Sequence, residues 1–329
     1  PYTDFSFGSD PMTMKQISLM QTIPYPGINN ISRNIAREES KSIEYSIRME
    51  INNISRDVSL AYYDYFLNEK SIEITEKNKS ILKEFIVISS KKYEVGEGLQ
   101  QDILQAQVEM SKLMDKLIVF KRNKQILNSE FKVLIGNDEI VEIGKIQDLN
   151  YDPAGFDTES LQERAVTNNP QLLRHAAIVS KNNMTYTLST KQNYPDFTVG
   201  LSYAQRDKRR DFIMAQFSIN LPIWKNTKQN KLMEESLNNI TVMEEMHRNI
   251  KNELFGTIEK LVFSLEETDE RIKLLKEVII PQATQSFNSA MSGYQVNKVD
   301  FLTLLNNQVT LFNFELDYYR FLTTYKKNI

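Results

Sequence analysis

The sequence predicts a mainly α protein with a small β part, in which long antiparallel helical hairpins alternate with short amphipathic strand pairs. Three observations predict it. Neither Gly nor Pro occurs from Ile28 to Val95, and Ile28, Ile31, Ile35, Ile43, Ile47, Ile51, Ile54 and Val58 fall at helical spacing there. Two short segments alternate apolar and polar residues with period two. A short hinge occurs twice, as "YEVGEGLQQDILQAQ" at Tyr93–Gln107 and as "YQVNKVDFLTLLNNQ" at Tyr294–Gln308, offset by 201 positions.

About 60 helical residues rise roughly 90 Å, far beyond an ordinary globular helix, and such a helix needs a partner along its length. The stretch Leu99–Ile135, again without Gly or Pro, supplies a return helix with Ile103, Leu104, Leu113, Leu117 and Phe120 on a similar period. Residues 137–160 are punctuated by Gly144, Pro153 and Gly155 and read as irregular structure. Two helical pieces broken near Asn169–Pro170 follow. In "PDFTVGLSYAQ" the residues Phe197, Val199, Leu201 and Tyr203 alternate with Thr198, Gly200 and Ser202. In "FIMAQFSINLPIW" the residues Ile213, Ala215, Phe217, Ile219 and Leu221 alternate with Met214, Gln216, Ser218 and Asn220. The charged turn "RDKRRD" joins them into a hairpin with one apolar and one polar or small face. Helical pattern resumes over Lys231–Gly293, interrupted at Gly256 and Pro281, and again after the second hinge to Ile329.

The N-terminus repeats this order. Thr3, Phe5 and Phe7 alternate, a turn spans Gly8–Pro11, and Ile17 and Leu19 lead to "IPYPG" and the long helix. The chain therefore reads as one duplicated domain over 1–329. The first repeat covers about 1–136, with a strand hairpin at 2–24 and a helical hairpin at 28–136. The second covers about 157–329, with a strand hairpin at 195–223 and a helical hairpin at 227–329. In the hinges, Gly96 and Gly98 are expected to supply positive φ, with Asn297 as the usual non-Gly substitute.

Composition removes several function classes. The 40 basic and 43 acidic residues nearly cancel, so nothing marks a nucleic-acid partner. There is no Cys, hence no thiol nucleophile, thiolate metal site or disulfide. The two His, His175 and His247, are far apart in sequence and read as surface or half-buried imidazoles. Met12, Met14 and Met20 read as strand and turn residues rather than a soft-metal site. No phosphate-cradling Gly loop, HExxH or Gly-x-Ser-x-Gly elbow is present, so no catalytic residue, cofactor or metal is expected. No apolar run reaches about 18 residues, which excludes a membrane-spanning helix but not a β-barrel, whose strands are short and alternating. No charged-then-apolar leader stands at Pro1, so any export signal has been removed or lies upstream.

The order "LQERAVTNNPQLLRHAAIVS", "YPDFTVGLSY", "FSINLPIW", with the paired Tyr-x-Val hinges running into "DILQAQ" and "FLTLLNNQ", resembles the outer-membrane efflux protein (TolC-like) family across essentially the whole chain. The segment "SDPMTMKQISLMQTIPYPG" is most similar to members serving heavy-metal and cation efflux pumps. The resemblance implies a homotrimer in the outer membrane of a Gram-negative bacterium, with most of the chain in the periplasm. Each protomer would give four strands to a shared 12-stranded barrel, and four strands alone cannot close one. The long helices would form a periplasmic α-barrel. Partners would be outer-membrane lipid, a periplasmic adaptor and an inner-membrane pump of the resistance-nodulation-division type, with cargo such as heavy-metal cations or drugs. Members carry a further helix ahead of the first strand, which this sequence does not include.

By motif position, the resemblance implies a periplasmic entrance at Asp102, Tyr294, Val299, Thr303 and Asn306, and adaptor-contacting tips at Gly96, Glu97, Gly98, Leu99, Asn297 and Lys298. The second hinge departs from the family pattern. Val299 stands where the best-known members carry a basic residue five positions after the tyrosine, and Thr303 and Asn306 stand where they carry carboxylates. A closed state here would rest on apolar contacts and hydrogen bonds. The alternatives are a periplasmic adaptor, which has a single hairpin between β-domains, and a coiled-coil scaffold, which has no use for amphipathic strand pairs.

Overall fold

The structure is a computed structural model that describes residues 14–136, 144, 146–153, 155–206 and 209–329. The expected strand through Thr3, Phe5 and Phe7 lies outside the described residues, as does part of the charged turn. In chain order the elements are β1 (Met14–Ile23), α1 (Ile28–Glu94), α2 (Gln100–Ile135), α3 (Thr158–Asn168), α4 (Pro170–Lys191), β2 (Asp196–Arg206), β3 (Phe212–Asn220), α5 (Asn230–Leu274), α6 (Ile280–Gln295) and α7 (Phe301–Asn328). The fold is mainly helical, with one three-stranded sheet among the described residues.

Local chemistry explains the boundaries. The α3–α4 break falls at Asn169, whose side chain accepts from the Gln171 and Leu172 amides while Pro170 takes the first helical position. Gly136 closes α2 in the left-handed region at φ 66°. The break expected at Pro281 is present as a widened π turn at Leu275–Ile279, where the Ile280 amide reaches back to the Leu275 carbonyl. Proline has no amide to give the Glu277 carbonyl and its ring crowds it, so the turn opens by one residue. The expected interruption at Gly256 does not occur, and α5 runs through it. A lone helical Gly costs only about 1 kcal/mol, which flanking packing offsets.

The chain divides into two compact units, each drawn from both halves of the sequence: residues 1–49 with 164–254, and residues 50–163 with 255–329. In the first unit the sheet order is β1-β2-β3, all antiparallel. Its register places Leu19 opposite Leu201, Ile23 opposite Phe197 and Val199 opposite Phe217, so the apolar residues share one face. That face is bare: Ile17 and Leu19 are each 77% exposed and Phe217 64%. The other face carries hydroxyls in contact, Ser202 with Ser18 at 2.9 Å and Thr22 with Thr198 at 3.2 Å. Where the strands meet the helices, Tyr25 stacks on Tyr194 at 4.3 Å under the Lys191 ammonium, and Trp224 is exposed.

In the second unit Phe85 of α1 sits between Phe287 of α6 and Phe301 of α7, at 6.3 and 6.2 Å, within a cluster that includes Ala106, Leu113, Leu304 and Phe312. A buried amide pair crosses that cluster, with Gln308 donating to Asn78 at 2.5 Å and Asn78 donating to the Ile74 carbonyl at 2.8 Å. Because an unpaired buried amide is costly, this pair holds α7 at one register against α1. A second cluster, Leu265, Ile272, Leu322 and Tyr325, holds the irregular segment through Tyr151, whose ring meets Tyr325 at 5.7 Å and whose hydroxyl donates to Asp269.

Candidate functional site

The two hinges close by the same hydrogen bonds. In the first, the Glu97 amide donates to the Lys92 carbonyl at 2.8 Å and the Gly96 amide to Tyr93 at 3.0 Å. In the second, the Lys298 amide donates to Gly293 at 2.8 Å and the Asn297 amide to Tyr294 at 3.3 Å. This six-to-one and five-to-two pattern is a Schellman helix end, which needs a left-handed residue at its centre. Gly96 supplies it at φ 77° and Asn297 at φ 60°. Gly98 does not; the expectation of positive φ there is corrected.

Gly98 has a different duty. A Cβ on it would lie 2.9 Å from the Lys92 Cβ and 3.1 Å from the Tyr93 amide nitrogen. In the second hinge the crowding glycine is Gly293, where a Cβ would lie 2.5 Å from the Val299 Cγ2. Shifted by 201 positions, Lys92 corresponds to Gly293 and Gly98 to Val299. One close approach thus recurs in both hinges, relieved by a glycine on the exit side in the first and on the helix side in the second.

The turns meet around a buried lysine. Lys92, 8% exposed, donates to the Asn297 side chain and sits 4.8 Å from the Tyr294 ring centre. Asn297 in turn donates to Glu97 at 3.2 Å. The Tyr294 hydroxyl, buried, lies 3.1 Å from the Ser89 hydroxyl and also hydrogen-bonds Asp102. Burial, and then the nearby Asp300 charge, push the Asp102 carboxyl above the usual carboxylate range, against the opposing hydrogen bonds from Leu99 and Tyr294. Burial also raises Tyr294, with the Asp102 charge adding to it. Asp300 is held low because its carboxylate caps α7, accepting from the Thr303 amide and hydroxyl at 2.8 Å each.

Gly96, Glu97, Gly98, Leu99, Asp102, Tyr294, Asn297, Lys298 and Val299 line one depression of about 450 Å3, joined by Asp300 and Phe301. Thr303 and Asn306 lie outside it, exposed on α7. Lys92, Ser89, Gly293 and Asp300 were not anticipated from sequence. Aligning the hinges at their 201-residue offset would have exposed the Lys92–Gly293 and Gly98–Val299 exchange; nothing in sequence marked Ser89 or the burial of Lys92.

His175 on α4 and His247 on α5 are both half-buried. Burial is the main cause lowering the proton affinity of His175, followed by the charges of Arg174 and His247, so the two imidazoles stand within electrostatic range despite their sequence separation. Among the described residues no group of three or more His, Asp or Glu could hold a metal ion, and no helix is long and apolar enough to cross a membrane.

No family model matches the chain. In sequence it is similar to the cobalt-zinc-cadmium resistance protein CzcC of Cupriavidus metallidurans, 22% identical over 273 residues, which cover 81% of this chain and 63% of that protein. The chain therefore spans under two thirds of that relative's length. In fold it is similar to the outer membrane protein VceC of Vibrio cholerae, with a TM-score of 0.79 at 14% identity over 96% of this chain and 84% of that one. It is also similar to CusC, a protein described as forming a transmembrane channel, with a TM-score of 0.82 at 13% identity over 96% of this chain and 80% of that one. The fold is that of the TolC-like outer-membrane channels.

Proposed function

We propose that this chain is one protomer of a trimeric outer-membrane exit duct in a tripartite efflux system, passively conducting cargo delivered by an inner-membrane pump through a periplasmic adaptor. The observation that carries it is the sheet: an apolar face exposed along most of its length on one side and paired hydroxyls on the other. In water such a face loses roughly 25 cal/mol for every Å² left uncovered; against lipid it loses nothing. Three strands, or four with the segment at Thr3–Phe7, cannot close a barrel, and twelve from three copies can. Tyr25, Tyr194 and Trp224 at one end of the strands suit the membrane–water boundary. The duplicated organisation over 1–136 and 157–329 belongs to the same reading.

Asp102, Tyr294, Val299, Thr303 and Asn306 would form the periplasmic entrance, and Gly96, Glu97, Gly98, Leu99, Asn297 and Lys298 the tips that meet the adaptor. The similarity to a cobalt-zinc-cadmium resistance protein favours heavy-metal cations as cargo, and a pump of the resistance-nodulation-division type is what the family resemblance implies. The duct performs no chemistry of its own. An adaptor or a coiled-coil scaffold has no need of the bare apolar sheet face. On fractionation of intact cells the protein should sediment with outer membranes and leave them only with detergent. Release by a salt or alkaline wash as a soluble species would refute the duct.

A further inference from the structure

The α6–α7 hairpin is almost free of charge. From Ile280 to Phe314 only Lys298 and Asp300 are charged, both in the turn, whereas the matching window of α1 and α2, residues 79–113, holds ten charged residues. At the chain's 25% charged composition a window of that length would hold about nine. Burial does not explain the deficit. Gln285, Ser289 and Ser292 on α6 are exposed, as are Thr303, Asn306 and Thr310 on α7.

These residues follow helical spacing, so each set forms one stripe along its helix. The sets also match in level, because Ser292 and Thr303, Ser289 and Asn306, and Gln285 and Thr310 are equidistant from the turn of an antiparallel pair. The nearest carboxylates are engaged elsewhere: Asp300 caps α7, Asp102 is bound by Tyr294, and Glu315 pairs with Lys77 at 2.8 Å. A face turned to bulk water ordinarily carries mixed charges for solubility. This one is wet, extended and neutral.

We propose that this double stripe lines the aqueous passage just inside the Asp102 entrance and makes that stretch electrically neutral, so that its wall does not sort ions by sign and holds no multivalent cation. The proposal rests on the duct reading above. The physical reason lies in repetition: one carboxylate per protomer would become a ring of three, and salt screens charges only beyond about a Debye length, roughly 8 Å at physiological ionic strength. Such a ring attracts and retains divalent cations, whereas hydroxyls and amides exchange hydrogen bonds with passing hydrated ions of either sign.

The absence of Cys allows a test after assembly. Asn306→Cys protein in an Asp102→Asn background, which removes the entrance carboxylate, would be inserted into planar bilayers and its reversal potential measured in a potassium chloride gradient, before and after treatment with anionic or cationic methanethiosulfonate reagents. The unmodified protein should show a potassium-to-chloride permeability ratio near one, unchanged by millimolar cobalt chloride. The anionic reagent should raise the ratio several-fold and the cationic reagent should lower it below one. A several-fold sign preference in unmodified protein would overturn the proposal. So would a thiol that stays unreactive, or that reacts without changing selectivity, in channels that conduct. If unmodified protein forms no channels at all, the duct reading fails and takes this inference with it.

Discussion

At the scale of single residues, the hinges separate what a motif specifies from what its surroundings decide. Tyr93 and Tyr294 occupy matching positions, yet Tyr93 is 47% exposed and Tyr294 5%. Gln107 and Gln308 also match; the first is exposed and the second is buried against Asn78. The left-handed turn residues were legible because only Gly and Asn adopt that conformation readily. Gly98 was misread as another turn residue, and Gly293 was not singled out, because the role of each is clearance, which depends on a neighbour six positions away. Gly293→Ala should therefore destabilise the hairpin by about 1–3 kcal/mol through overpacking. Adding Val299→Gly should recover part of that loss, read as a positive coupling in a double-mutant cycle of thermal unfolding. Strictly additive effects would mean that the Gly293–Val299 contact does not limit the turn.

Asp102 gives a pH dependence with a definite sign. Its folded proton affinity is raised by burial and by Asp300, so the folded state binds its proton more tightly than the unfolded chain does. Folding is disfavoured by this group wherever it is ionised, and the penalty disappears as pH falls through its raised value. Asp102→Asn should accordingly raise the melting temperature at neutral pH, and the gain should shrink to nothing once the pH is below the carboxylate range. A gain that persists at low pH, or a loss at neutral pH, would show that the ionised carboxylate is favoured where it stands.

At the scale of elements, helix existence and strand alternation were legible, because a 3.6-residue stripe and a two-residue alternation are direct consequences of backbone geometry. The cap at Asn169–Pro170 was equally so, since its residues act locally. Gly256 was misjudged as an interruption because a single glycine costs a helix interior only about 1 kcal/mol, too little to break one as long as α5. The widening before Pro281 was legible in position, though the missing amide alone does not say whether a helix kinks, ends or opens into a π turn. The absence of charge from Ile280 to Phe314 outside the turn is plain in the sequence once the two hairpins are laid side by side, but its meaning depends on exposure. Uncharged residues inside a core are ordinary; uncharged residues exposed over two helical stripes depart from an ordinary solvated face.

At the scale of the whole molecule, a chain with this sheet is incomplete alone. Its apolar face runs through Ile17, Leu19, Leu201, Phe217 and Ile219, all exposed, and no segment among the described residues covers it. The exposed apolar stripe of α1 at Ile43, Ile47, Ile51 and Ile54 makes the same point for the helices, since a helix this long needs partners along its length. In the proposed duct, lipid against the sheet and further copies against the helices would cover both. The direct test is the protein mass of the purified, detergent-solubilised chain by light scattering with the detergent contribution subtracted. The account predicts three times the mass of one chain, independent of protein concentration; a monodisperse single-chain mass in a detergent that keeps the protein folded would contradict it.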